Sequence, residues 1–174
     1  ILSDIMPVLD NFGLRIIDQF ADPVTPRSGN TRYLDTFRVQ GVWGLETEEI
    51  LEGKENLIQA LEAVFSGDMP NDILNRILLR ANIPWAAVDM IRAYARYARQ
   101  LGSTHTLRGL QEILLACPDI IPLLWNLFEA KFDPDNNGHR KRMISDAAST
   151  IDAALSQIEN NEQDTAFRTL FNLI

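Results

Sequence analysis

The run Asp133-Pro134-Asp135-Asn136-Asn137-Gly138 is the sharpest chemical motif in the sequence. A calcium loop of the EF-hand type needs oxygen donors at positions one, three and five, a glycine at six and a bidentate carboxylate at twelve. Asp133, Asp135, Asn137 and Gly138 meet the first four requirements, but position twelve is Ile144 and position eight is Arg140. With His139, Arg140, Lys141 and Arg142 crowding the same stretch, calcium affinity is expected to be poor. Asp-Pro and Asn-Gly are ordinary turn formers, so a plain inter-helix turn is the favoured reading.

Arg92, Arg96 and Arg99 lie four and three residues apart, on one face of a helix, with Tyr94 and Tyr97 interleaved. A basic face with aromatics can hold phosphate or single-stranded nucleic acid. The charge of the whole chain argues otherwise. Lys plus Arg number 16 against 24 for Asp plus Glu, a net charge of -8, and polyanion binding needs a basic surface. Neither nucleic acid nor a membrane is therefore an expected partner. The favoured reading is a solvated face or an interface with acidic helices, of which residues 46–62 supply one with Glu46, Glu48, Glu49, Glu52, Glu55 and Glu62. At least one arginine is expected to make a bidentate carboxylate contact within the fold. The others are expected to dock against another domain.

The remaining reactive residue types form no constellation. His105 and His139 sit in different inter-helix regions, without the spacing of a zinc site or a catalytic pair. The single cysteine, Cys117, excludes a disulfide framework and suits a reducing, cytoplasmic location. Beside Pro118 and after Leu114-Leu115-Ala116 it reads as a small buried hydrophobe. Trp43, Trp85 and Trp125 read as core anchors. Gly41, Gly44, Gly53 and Gly67 match neither GxGxxG nor a P-loop. No catalytic, cofactor-binding or metal-binding residue is assigned.

These residues need elements to position them. Cap residues Ser3-Asp4 and apolar Ile5, Val8, Leu9 and Phe12 predict a helix over 3–12, stopped at Gly13. Two strands follow at 14–20 and 33–39, with Tyr33, Phe37 and Val39 on one face, joined by loop chemistry from Asp22 to Asn30. Such a hairpin is marginal alone and needs another layer. Helices are then expected over 47–66, with Thr47 at its cap, and from Asn71-Asp72, from Pro84 to the stop at Gly102, over 106–116, over 120–128 and over 143–158. Phe167, Leu170, Phe171 and Leu173 continue the last helix or form a separate one. The fold class is α+β, predominantly α. Of the 174 residues, 46% are hydrophobic, enough for a sizeable core. The chain opens at Ile1 and stops at Asn172-Leu173-Ile174, and both ends read as cut from a longer polypeptide.

Several strings together resemble one family, the large bacterial NAD-specific glutamate dehydrogenases. They are Leu2-Ser3-Asp4-Ile5-Met6-Pro7-Val8-Leu9-Asp10-Asn11-Phe12-Gly13 with the strand after it, Ala60-Leu61-Glu62-Ala63-Val64-Phe65-Ser66-Gly67, and the run from Asn71 to Ala81. Ile91-Arg92-Ala93-Tyr94-Ala95-Arg96-Tyr97-Ala98-Arg99-Gln100 is the most specific, and Leu127 to Pro134 and Leu170 to Ile174 complete the set. The resemblance implies a segment N-terminal to the catalytic domain. Residues 1–68 would be a partial ACT-like α-β-β-α module whose first strand is missing, and 69–174 a helical domain. It also implies the parent reaction, oxidative deamination of L-glutamate to 2-oxoglutarate with NAD, in an enzyme expected to be a homo-oligomer. The family's glutamate, nicotinamide and catalytic-lysine motifs have no counterpart here, so the segment alone is expected to be inactive and to need no cofactor. Its expected partners are the other domains of the parent. The alternatives are a free-standing helical interaction domain and a small-ligand (amino acid) sensor with a pocket between the hairpin and helix 47–66.

Overall fold

A computed structural model describes residues 2–26, 29–135 and 138–174, with Leu2 by its backbone alone. Helix α1 (Leu2–Asn11) leads into strand β1 (Leu14–Val24) and strand β2 (Arg32–Gly41). Helices α2 (Thr47–Glu52) and α3 (Lys54–Ser66) follow, then a 3-10 turn over Ile73–Arg76 and a short α4 (Ile77–Arg80). The rest is helical: α5 (Trp85–Gln100), α6 (Leu107–Ala116), α7 (Ile120–Phe132), α8 (Arg140–Leu155) and α9 (Asn161–Leu173). The class is α+β and predominantly α, with an α-β-β-α element ahead of a multi-helix body.

The hairpin is antiparallel, with Leu14 opposite Gly41 and Val24 opposite Arg32, and an irregularity between Ile16 and Asp18. Its strands run further than the sequence predicts, because Asp22-Pro23-Val24 pairs with Arg32-Tyr33-Leu34 instead of looping. Proline is compatible here because each strand of a two-stranded sheet is an edge, where a missing N–H can face outward. Leu14, Ile16 and Val39 pack on the core, whereas Phe20, Val24, Tyr33 and Leu34 are exposed.

The predicted helix 47–66 breaks at Gly53, where a Cβ would lie 2.8 Å from Leu79 Cδ2. The break lets the chain pass close to buried Leu79. The cap also differs: Glu46, not Thr47, precedes the helix, and its N–H donates to the Glu49 carboxylate at 2.6 Å. Thr106 caps α6 as the sequence indicates, its hydroxyl accepting from Gly109 N–H at 3.0 Å. The terminal apolar residues form the separate helix α9, because Asn160 caps it by accepting from Glu162 and Gln163 N–H. Trp43 is the clearest departure. It is 62% exposed and holds φ 62, so it anchors no core.

A continuous apolar core runs from Val8, Phe12 and Leu14 through Leu74, Leu78 and Ile91 to Leu124, Ile151 and Phe167. The α-β-β-α element and the helical body therefore share one interior. Among the described residues no single helix is long and apolar enough to cross a membrane; α6 and the chain from Pro118 to Phe132 pass together by composition but are bent by 88°. Their Leu110, Leu114, Ile121 and Leu124 are buried in that core.

Candidate functional site

Helix α5 starts after Pro84, whose fixed φ suits a helix entry. Its apolar residues Val88, Ile91, Ala95 and Ala98 are buried. That burial turns the three arginines of the predicted face in different directions. Arg92 is buried, at 4% exposure, while Arg96 and Arg99 are exposed.

Arg92 meets two carboxylates and an amide. Its Nε donates to Asp72 Oδ2 at 2.8 Å and its Nη2 to Asp72 Oδ1 at 3.0 Å, the bidentate fork expected of one arginine on this face. Nη2 also donates to Asn75 Oδ1 at 2.7 Å, and Nη1 donates to Asp89. Asn75, fully buried, completes the set by donating its Nδ2 to the Pro70 carbonyl at 3.1 Å. Asp72 serves twice, since its Oδ1 also accepts from Leu74 N–H at 3.0 Å and caps the 3-10 turn. The Arg92 carboxylates thus come from Asp72 and Asp89, not from the glutamates of 46–62. Burial pushes the Asp89 carboxyl above its usual range; the Arg92 guanidinium opposes this, the Asp72 charge adds to it and Arg96 opposes it again.

Arg99 holds the turn after its own helix, its Nη1 donating to the carbonyls of Ser103 at 3.1 Å and His105 at 2.9 Å. Arg96 makes no hydrogen bond or ion pair among the described residues. It reaches the cluster only through its field on Asp89. Beside it on α5, Ala93, Tyr94 and Tyr97 line an open groove of about 400 Å³ that Leu173 of α9 closes on one side. Burial, and then the neighbouring Tyr97, raise the Tyr94 hydroxyl pKa. The Tyr94 ring meets Phe128 edge-on at 6.3 Å, and Phe128 stacks on Trp125 at 5.5 Å.

Of the other sequence candidates, Cys117 is half-buried; burial, and then Asp119, push its thiol up, so it is no activated nucleophile. Among the described residues no group of three or more His, Cys, Asp or Glu side chains could hold a metal ion. Of the run Asp133–Gly138, read as a plain turn rather than a calcium loop, Asn136 and Asn137 lie outside the described residues. Asp133 Oδ1 accepts from Asp135 N–H at 2.9 Å in a local turn. Sequence reasoning missed Asp72 and Asn75 as partners of Arg92. It missed Asp89 as well, although its place three residues before Arg92 on one helix could have found it; Asn75 carries no signal beyond being a polar residue within an apolar stretch.

The fold thus places an α-β-β-α element ahead of a helical domain, with buried Arg92 and its partners Asp72, Asn75 and Asp89 near the start of that domain. Residues 1–50 match the family model of the glutamate dehydrogenase ACT3 domain, and residues 69–134 that of the glutamate dehydrogenase helical motif 3. The chain belongs to the glutamate dehydrogenase family and carries these two of its domains. It is similar to the NAD-specific glutamate dehydrogenase of Pseudomonas aeruginosa, 36% identical over 131 residues that cover 75% of this chain and 8% of that protein. The Halomonas elongata enzyme of the same name is 29% identical over 99% of this chain and 10% of its own length. That of Mycobacterium tuberculosis is 24% identical over 99% of this chain and 11% of its own. The chain spans about a tenth of the length of these curated relatives.

Proposed function

We propose that this chain is a regulatory or scaffolding segment of an NAD-dependent glutamate dehydrogenase and does not itself hold the active site. The parent would convert L-glutamate, NAD and water to 2-oxoglutarate, ammonium and NADH, in the cytoplasm and as a homo-oligomer. The names of the relatives support that reaction. The helices here contribute rigidity and surface, and the NAD chemistry belongs to the rest of the parent.

The observation that carries the reading is the division of labour on α5. Arg92 is fastened to Asp72, Asp89 and Asn75 and fixes the helix against the start of the domain. Arg99 bonds the following turn while remaining exposed, and Arg96 is left to face outward beside an aromatic groove. Another domain of the parent, presenting a carboxylate, is the expected occupant. Arg96→Glu in the full-length enzyme should weaken its assembly or lower its activity, while the melting temperature of residues 1–174 stays within a degree or two. Unchanged assembly and activity in the full-length Arg96→Glu variant would sink the docking reading.

A further inference from the structure

Trp43 has a left-handed backbone, φ 62, which a bulky residue rarely adopts. Such a conformation persists only where the surroundings hold it, and it gathers at functional sites. Here it brings two arginines to one residue. The Arg76 guanidinium lies over the indole ring, 4.8 Å from its centroid, and Arg80 Nη1 is 3.5 Å from the Trp43 carbonyl. Gly44 follows at φ 78, and a Cβ there would lie 3.9 Å from Arg80 Nη1. Arg76 ends the 3-10 turn and Arg80 ends α4, four residues on, and both reach Trp43.

These two guanidiniums differ from that of Arg92 in one respect. Among the described residues neither forms an ion pair, and the buried Nε of each has no hydrogen-bond acceptor. Buried donors are nearly always satisfied. Two cations at one residue, each with an orphaned N–H, call for an oxyanion. The donors are flat guanidinium forks beside a flat ring, which suits the two-oxygen edge of a carboxylate.

We propose that Trp43, Arg76 and Arg80 form a carboxylate-binding site at the joint between the hairpin and the helical domain. The carboxylate belongs to a small dicarboxylate or to an Asp or Glu side chain elsewhere in the parent. Either way, occupancy ties the turn after β2 to α4 and couples the two halves of the chain.

The test follows the arginine Nε–H signals by NMR while glutarate is added at constant ionic strength. In residues 1–174 the Arg76 and Arg80 signals should shift saturably while that of Arg92 stays in place, which also reports an intact fold. Arg76→Gln and Arg80→Gln should each weaken the response at least tenfold. Should either variant lose the Arg92 signal, Arg80→Lys, which keeps the charge but not the fork, should weaken it by a smaller factor. In the full-length enzyme a free ligand gives the same saturable shift, whereas a resident side chain leaves the signals at their bound positions and unresponsive to glutarate. A linear drift without saturation in residues 1–174, the same affinity in all variants, or tighter binding of inorganic phosphate than of glutarate overturns the proposal.

Discussion

A guanidinium at 4% exposure has to satisfy its N–H groups inside the protein, and Arg92 does so with Asp72, Asp89 and Asn75. The two carboxylates are not equivalent. Asp72 receives the fork and caps the 3-10 turn, so Asp72→Ala removes three hydrogen bonds and leaves a buried cation short of charge. We expect it to cost about 3 kcal/mol, the low end for a broken buried pair because Asp89 and Asn75 remain, measured by urea denaturation. Asp89 behaves differently because burial raises its folded pKa above the unfolded value. A carboxyl shifted that way favours the folded state below its unfolded pKa and loses that contribution as pH rises through the folded pKa. Asp89→Asn should therefore cost far less than Asp72→Ala at neutral pH, and wild type should gain on it as pH falls toward 4. Equal losses at neutral pH, or a gap that moves the other way on acidification, would contradict the assignment.

At the scale of elements, the periodic helices were legible because apolar residues at helical spacing, such as Val88, Ile91, Ala95 and Ala98, both predict α5 and end up beneath it. What escaped the sequence depended on tertiary contact. The break at Gly53 follows from the approach of Leu79, twenty-six residues away, and the exposed Trp43 from its left-handed turn beside Arg76. The Arg92 fork was foreseen as a type of contact but not with its partner, since Asp72 lies on another element. Gly41 shows what such close passages demand. It ends β2, and a Cβ on it would meet the Leu45 carbonyl oxygen at 2.1 Å. Backbone cannot swing aside like the end of a side chain, and the same turn holds the Val42 N–H to Gly13 oxygen bond at 2.8 Å. Gly41→Ala should thus destabilise by about 3 kcal/mol, the upper end for overpacking, and thermal unfolding monitored by circular dichroism would read it. A loss as small as that expected for an exposed strand glycine would mean the turn relaxes freely.

For the whole molecule, the proposed reading assigns structure to this chain and the chemistry to the rest of the parent. The core is continuous from Phe12 to Phe167, so the chain has an interior of its own. Asp72, Thr106 and Asn160 cap helical turns, and Asp72, Asn75 and Asp89 hold Arg92. Hydride transfer to a nicotinamide needs a dinucleotide cradle, in which glycines let the backbone approach a pyrophosphate at a helix N-terminus. The glycines here serve other ends: Gly41 and Gly53 admit close neighbours, and Gly13 and Gly67 take the left-handed conformation after α1 and α3. Deamination also needs a general base or an amine of lowered pKa against the substrate. The carboxyl raised here, Asp89, is engaged by Arg92, and burial makes the Cys117 thiol less nucleophilic. Residues 1–174, purified to homogeneity and supplied with L-glutamate and NAD, should accordingly form no NADH above a control without protein. The full-length enzyme in the same assay should. NADH formation that follows the chain through purification would show that a catalytic centre lies within these residues and would overturn the scaffold reading, whereas an inactive chain whose Arg96→Glu change disturbs the full-length enzyme would place its contribution in assembly.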